Sequence, residues 1–254
     1  MNVNYAIITG ASKGLGETLA RRFLDEGVSV VGISRSINKQ LLTYSESTEA
    51  SFYSYSCDLS AVDELEDTCD QIKTLVFKKD TEKVYLINNA ATVNPIDVSA
   101  NHTREAIEKH VNLNLTAPMF TTSRLLHDAK KYQTKVILAN ISSGAAQRST
   151  YGWSLYGATK AAINRYTETV ALEVDELDEQ HKIILFDPSI MDTSMQRDIR
   201  STSKAQFKDV DQFKEYKQEN ALRSPETVGN VLVDLLLDEQ ALINGHYYSI
   251  HDFV

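Results

Sequence analysis

The stretch "SLYGATK" sets Tyr156 and Lys160 four positions apart, which puts both side chains on one face of a helix. A phenol with a reference pKa of about 10 exchanges protons poorly at neutral pH. A neighbouring ammonium favours the phenolate and lowers that value, so Tyr156 becomes a usable acid or base. Upstream, "NISSG" brings a serine, Ser142 or Ser143, to the end of an apolar run, where a hydroxyl can hydrogen-bond a substrate oxygen. A Tyr–Lys pair alone is weak, because the chain holds 12 tyrosines and many lysines. It gains weight only from what surrounds it.

"TGASKGLG" follows the apolar run "YAII". Its glycines Gly10, Gly14 and Gly16 let the backbone turn tightly and come close to a ligand. The helix that starts near Leu15 turns free N–H groups and its positive dipole end toward the loop, which suits an anion. Gly10, Ser12, Lys13, Gly14, Leu15 and Gly16 are therefore a candidate phosphate cradle. An acid at the end of the second strand would bind the ribose 2′-hydroxyl of NAD and repel the 2′-phosphate of NADP. Ser34 and Arg35 stand there instead, and Lys13 adds a second cation. Two cations beside a 2′-phosphate predict NADP(H) as the cofactor. Hydride from such a cofactor and a proton from Tyr156 would together reduce a carbonyl.

Alternating elements must position these residues. Apolar, strand-like runs cover 5–9, 28–33, 52–56, "VYLINNA", "KVILANISS", "KIILFDP" and "GHYYSI". Helical patterns cover 17–26, 65–78, 103–131, 155–177 and 225–237, with a break expected near Pro118. Continuous apolar strands separated by helices predict an α/β chain: one doubly wound Rossmann domain over 1–254, with a parallel sheet of about seven strands and helices on both faces. The polar stretch 194–223 follows the sixth strand, and a substrate lid is expected there.

A net charge of -9 argues against nucleic-acid partners. Cys57 and Cys69 make no disulfide framework and fit a reducing cytoplasm. No leader pattern or membrane-length apolar run is apparent, and the six histidines show no metal-binding spacing. A small-molecule ketone is the expected partner, with no metal and no membrane.

Taken together, "TGASKGLG", "CDLS", "NNAA", "NLNLTAP", "NISSG", "YGATK" and "DPSIMDT" resemble the short-chain dehydrogenase/reductase family over nearly the whole chain. The resemblance implies that Ser143, Tyr156 and Lys160 are the catalytic serine, tyrosine and lysine, with Ser143 preferred to Ser142. It implies that Asn114, rather than Asn112, is the asparagine of the proton relay. Asp58 and Leu59 would contact the adenine, and Asn88 and Ala90 would line the cofactor. Lys160 would also hold the nicotinamide ribose, and Ile190 and Thr193 its carboxamide. The family pattern implies a homodimer through the long helices. Two departures stand out: Ala91 replaces the last glycine of "NNAG", and Ser189 replaces the glycine of "PG". Within the family, "NISSGAAQRSTYGWSLYGATKAA" and "DTSMQ" look most like the sepiapterin reductase branch. Its bacterial members include benzil reductases, which reduce one ketone of an aromatic diketone to an (S)-hydroxyketone. The branch's pterin-gripping acid aligns near Ser249, with Asp252 further along, which favours an apolar or aromatic dicarbonyl over a pterin. Ser143, Tyr156, Trp153, Met191 and Met195 are the expected substrate contacts.

Overall fold

The computed structural model describes residues 3–177 and 179–254. Met1, Asn2 and Asp178 lie outside the described residues; the first two open the stretch searched above for a leader. Seven described strands form one sheet: β1 (Val3–Thr9), β2 (Ser29–Ser34), β3 (Phe52–Ser56), β4 (Thr81–Asn88), β5 (Lys135–Ile141), β6 (Lys182–Asp187) and β7 (Tyr247–Ser249). Their order is β3-β2-β1-β4-β5-β6-β7, and every pairing is parallel. The order reverses between β1 and β4. In a doubly wound sheet, ligands bind beyond the carboxyl ends of the strands at that place.

Side chains alternate across each strand and so build two cores. Ala6 and Ile8 of β1 face α1 (Gly14–Asp25) and α9 (Pro225–Leu237), with Leu19, Phe23, Leu232 and Leu236. Tyr5 and Ile7 face α3 (Val62–Val76), α5 (Ala117–Tyr132) and α6 (Ser154–Glu176), with Ile72, Leu125 and Val170. The remaining helices are α2 (Lys39–Ser45), α4 (Arg104–Val111), α7 (Ser194–Arg200) and α8 (Val210–Gln218). No described helix is long and apolar enough to cross a membrane.

The long helical pattern of 103–131 does not break at Pro118. It runs from α4 to α5 through a π-helical turn at Asn112–Thr116, with Ala117 N–H donating to the Asn112 carbonyl. Proline has no N–H to give the carbonyl of Asn114 four residues earlier, and its ring crowds that carbonyl. One widened turn absorbs the conflict, as π-bulges at functional sites commonly do.

A third apolar cluster lies against the start of α6. Trp153 stacks on Phe207 at 4.8 Å, and Phe213, Val210 and Ile199 complete it from the 194–223 stretch. That contact needs a glycine. Gly152 has φ of +89°, and a Cβ there would fall on the carbonyl oxygen of Gln206. Gly152→Ala is expected to lower the thermal midpoint by at least about 3 °C, read by circular dichroism. An unchanged midpoint would contradict the close backbone approach.

Candidate active site

The loop after β1 is built around close packing. Gly10 takes φ of +73° and Gly14 takes φ of +58°. A Cβ on Gly16 would fall on the Gly10 carbonyl oxygen, and one on Gly10 would stand 3.0 Å from Asn89 Nδ2. Lys13 is the N-cap of α1 but makes no capping hydrogen bond, so its side chain does not cover the helix's first N–H groups. Lys13 and Arg35 are both exposed, and among the described residues neither forms an ion pair. The glycine loop and the uncapped helix N-terminus fit the phosphates of a nicotinamide dinucleotide. The residues that would hold its phosphates are Gly10, Ser12, Lys13, Gly14, Leu15, Gly16 and Arg35.

The adjoining strand ends frame this loop. Thr9 Oγ1 accepts the N–H groups of Asn89 and Ala90, each at 3.0 Å, and Asn89 Nδ2 donates to the Thr9 carbonyl at 2.9 Å. The side chain of Asn88 is turned into the interior. It donates to Asn140 Oδ1 at 2.8 Å and accepts from Thr121 Oγ1 at 2.8 Å. Asp58 follows β3 and binds the N–H and hydroxyl of Ser60, which hold its carboxyl below the usual range, with Lys109 and Arg35 adding to the effect. Leu59 beside it is buried.

Three of the four residues read as catalytic, Ser143, Tyr156 and Lys160, lie together at the carboxyl end of β5. Ser143 leaves the strand and its Oγ accepts the Ala145 N–H at 3.2 Å; it also hydrogen-bonds Tyr156. Ser142 instead is buried and donates to Asn164 Oδ1 at 2.6 Å. Tyr156 is 8% exposed and Lys160 5%. The Lys160 ammonium donates to the Ile141 carbonyl at 2.6 Å and stands 5.9 Å from the Tyr156 ring centroid.

Asn114 is 2% exposed and fully tied. Its amide donates to the Thr92 carbonyl at 2.8 Å, and its Oδ1 accepts the Thr92 N–H at 2.8 Å. The amide also reaches His110 Nε2 at 3.0 Å. His110 Nδ1 faces the Asn94 carbonyl at 2.8 Å, so Nδ1 carries the proton and Nε2 accepts. Burial holds the His110 pKa down, which keeps the ring neutral. Asn112, one helical step off, donates instead to the Ser60 carbonyl at 3.2 Å.

The electrostatics differ from the sequence expectation. Lys160 was expected to lower the Tyr156 pKa, but burial pushes that phenol up to about 12, with the charge of Asp187 adding to it and the Ser143 hydrogen bond opposing it. Burial pushes Lys160 down to about 8, against the pull of Asp187. Withdrawal from water therefore outweighs the neighbouring ammonium. It disfavours both the phenolate and the ammonium.

The expected substrate contacts divide. Trp153 is 7% exposed and belongs to the aromatic cluster, edge-on to Tyr156 at 5.4 Å. Met195 and Ile190 pack on that cluster, while Met191 packs on the α1–α9 core. Thr193 begins α7, 3.7 Å from where a Cβ of Gly14 would lie. Ser189 takes a left-handed conformation that favours glycine, with φ of +56°, and its hydroxyl meets His251 Nε2 at 3.0 Å. Sequence reasoning missed His110 and Asp187. The i, i+4 spacing of His110 and Asn114 and the acid in "FDPS" were the available signals.

A profile described as short chain dehydrogenase matches residues 4–204. Benzil reductase ((S)-benzoin forming) of Bacillus cereus is 37% identical over 94% of this chain and 96% of its own length. The protein of that name from Bacillus subtilis (strain 168) is 34% identical over 98% of both. Among solved structures, the KRED1-Pglu enzyme superposes with a TM-score of 0.81, at 23% identity, over 96% of this chain and 100% of that one.

His110→Phe keeps the ring's shape but removes an acceptor from Asn114 and a donor from the Asn94 carbonyl. The expected loss is about 1–3 kcal/mol in urea unfolding, the usual effect of orphaning buried polar groups. Wild-type stability in this variant would show that the network does not hold Asn114.

Proposed function

The chain belongs to the short-chain dehydrogenase family, and within it we propose an NADPH-dependent carbonyl reductase that acts on one ketone of a small aromatic or dicarbonyl substrate, in the manner of benzil to (S)-benzoin. The observation that carries this reading is the placement of Ser143 and Tyr156 at one strand end beside the buried Lys160, at the sheet edge that also carries the glycine loop. The nicotinamide, when bound, supplies the hydride.

The chain's own residues handle the oxygen and the proton. Ser143 and Tyr156 together receive the substrate carbonyl oxygen and orient it. The high pKa of Tyr156 keeps its proton in place at neutral pH, ready for an oxygen that becomes an alkoxide. A phenol is a stronger acid than an alcohol, so the transfer runs toward the substrate. Lys160 then steadies the phenolate by its charge. Asn114 holds the adjoining helix turn, where Pro118 brings no N–H to its carbonyl, and that carbonyl is a natural foothold for a proton-carrying water. Ile190 and Thr193 would contact the carboxamide, and Asp58 and Leu59 the adenine.

The apolar cluster of Val93, Ile96, Ile190 and Met195 around Tyr156 would form one wall for the substrate, which favours an apolar ketone. Ser249 offers no acid to a pterin, and Asp252 is engaged in accepting the Ser249 N–H at 2.8 Å. The 194–223 stretch acts as the lid over that wall. Free Cys57 and Cys69 suit a reducing cytoplasm, and exposed Met119 and Leu172 on α5 and α6 suit a homodimer.

Two experiments test the reading. Loss of NADPH absorbance is followed with benzil, a phenyl-substituted dione, sepiapterin and an acetoacetyl thioester. The diketones are expected to turn over, and Tyr156→Phe to lower kcat about 100-fold or more. Turnover of sepiapterin alone would move the substrate to the pterins, and unimpaired Tyr156→Phe would sink the mechanism. Arg35→Asp is expected to lower the kcat/KM preference for NADPH over NADH about tenfold or more. An unchanged ratio would remove Arg35 from the 2′-phosphate site.

A further inference from the structure

Asp187 ends β6 just before Pro188. It shares the two-residue parity of Ile183, which packs in the α3–α5–α6 core, so it projects on the α6 side of the sheet. It is 9% exposed, and a carboxylate so far from water is unfavourable unless it is hydrogen-bonded. Both its oxygens are met. Tyr247 Oη donates to Oδ2 at 2.8 Å, and the Ser189 N–H donates to Oδ1 at 2.8 Å. Tyr247 reaches across from β7, where it is the register partner of Leu185, and its hydroxyl also lies against Ser142. Oδ2 stands 3.8 Å from the place of a Cβ on Gly144, the residue after Ser143. A tethered acid thus sits under the strand end that carries the catalytic serine.

We propose that Asp187, tethered by Tyr247, is a positioning residue for the reaction: it lies against the end of β5, where the Ile141 carbonyl holds Lys160 and Ser143 and Gly144 leave the strand, and from there its negative charge keeps the protons of Tyr156 and Lys160 in place for reduction. The proposal rests on the reading of Tyr156 as proton donor. Its charge raises Tyr156 and works against the burial of Lys160. The other titratable groups around the site are Tyr247, His110 and His251. Tyr247 is pushed up by burial and by Asp187. His110 stands edge-on to Tyr156 at 6.5 Å and is neutral. His251 reaches Ser189 from the C-terminal turn. None of these supplies a negative charge at neutral pH. Because Tyr156 and Lys160 are withdrawn from water, a nearby charge acts on them with little screening.

The sign follows directly. Removing the charge lowers the pKa of both groups, so they lose protons at lower pH. The test uses the full-length protein with Asp187→Asn, which keeps the shape, and Tyr247→Phe, which keeps the charge. The alkaline limb of kcat for NADPH-driven reduction is expected to move toward acid by about half a pH unit or more in Asp187→Asn, while Tyr247→Phe stays with the wild type. A merely structural role would lower kcat at every pH and leave the limb in place.

A second readout needs no substrate. Burial pushes Lys160 down to about 8 from its ordinary 10.5, so between those values the unfolded chain binds more protons and stability rises with pH. In Asp187→Asn that rise is expected to begin at lower pH in thermal melts. If no carbonyl is reduced by the wild type, the proposed activity fails while the melts still decide the role of Asp187. Coincident kcat limbs, or melting curves that stay parallel across pH, overturn it.

Discussion

The ammonium of Lys160 lies in the interior, and a cation so placed must be met by oxygen. That requirement organises the carboxyl edge of the sheet. The Ile141 carbonyl is free to accept at 2.6 Å because β5 ends there. The same strand end releases Ser143 toward Tyr156, and the four-residue spacing of α6 sets the phenol over the ammonium. An exposed lysine at the same position would be a stronger acid-base bystander and a weaker electrostatic partner, because water would screen it. The fold thus gives up part of the lysine's natural basicity and receives a short-range field in return.

Around that charge, polar groups are tied rather than left loose. Asn114 is clamped by Thr92 and by a neutral His110, and His110 is anchored to Asn94. Asn88, Asn140, Thr121 and Thr167 form a second buried network between β4, β5 and the helices over them. Fully satisfied networks of this kind rigidify a core. They also explain why residues with side chains suited to ligand binding, Asn88 among them, turn inward while their neighbours frame the loop.

Much of this was legible in the residues. Continuous apolar runs such as "YAII" and "KVILAN" have no polar face, and only a sheet covered on both sides buries them. The cradle was legible because glycine has few other reasons to occur three times between a strand and a helix. Three features were not. A 3.6-residue period cannot register a π-turn, so Pro118 read as a break although the helix continues past it. Trp153 was readable as a candidate substrate contact, but its packing was not: its partners Phe207 and Phe213 lie more than fifty residues away, and only the folded chain brings them together. The pKa of Tyr156 followed burial, which spacing does not reveal. Ser189 is intermediate: its departure from glycine was plain, but the hydroxyl contact with His251 that accompanies the left-handed backbone was not.

The aromatic cluster has a further use. Trp153 is the only tryptophan in the chain, and it stands between Phe207 of the 194–223 stretch and the ring of Tyr156. Among the described residues its buried indole N–H has no acceptor, so its emission senses any polar atom that comes near. The protein therefore carries an intrinsic fluorophore at the seam between that stretch and α6. Movement of the stretch can be timed in solution by intrinsic fluorescence, with no label introduced and no residue replaced.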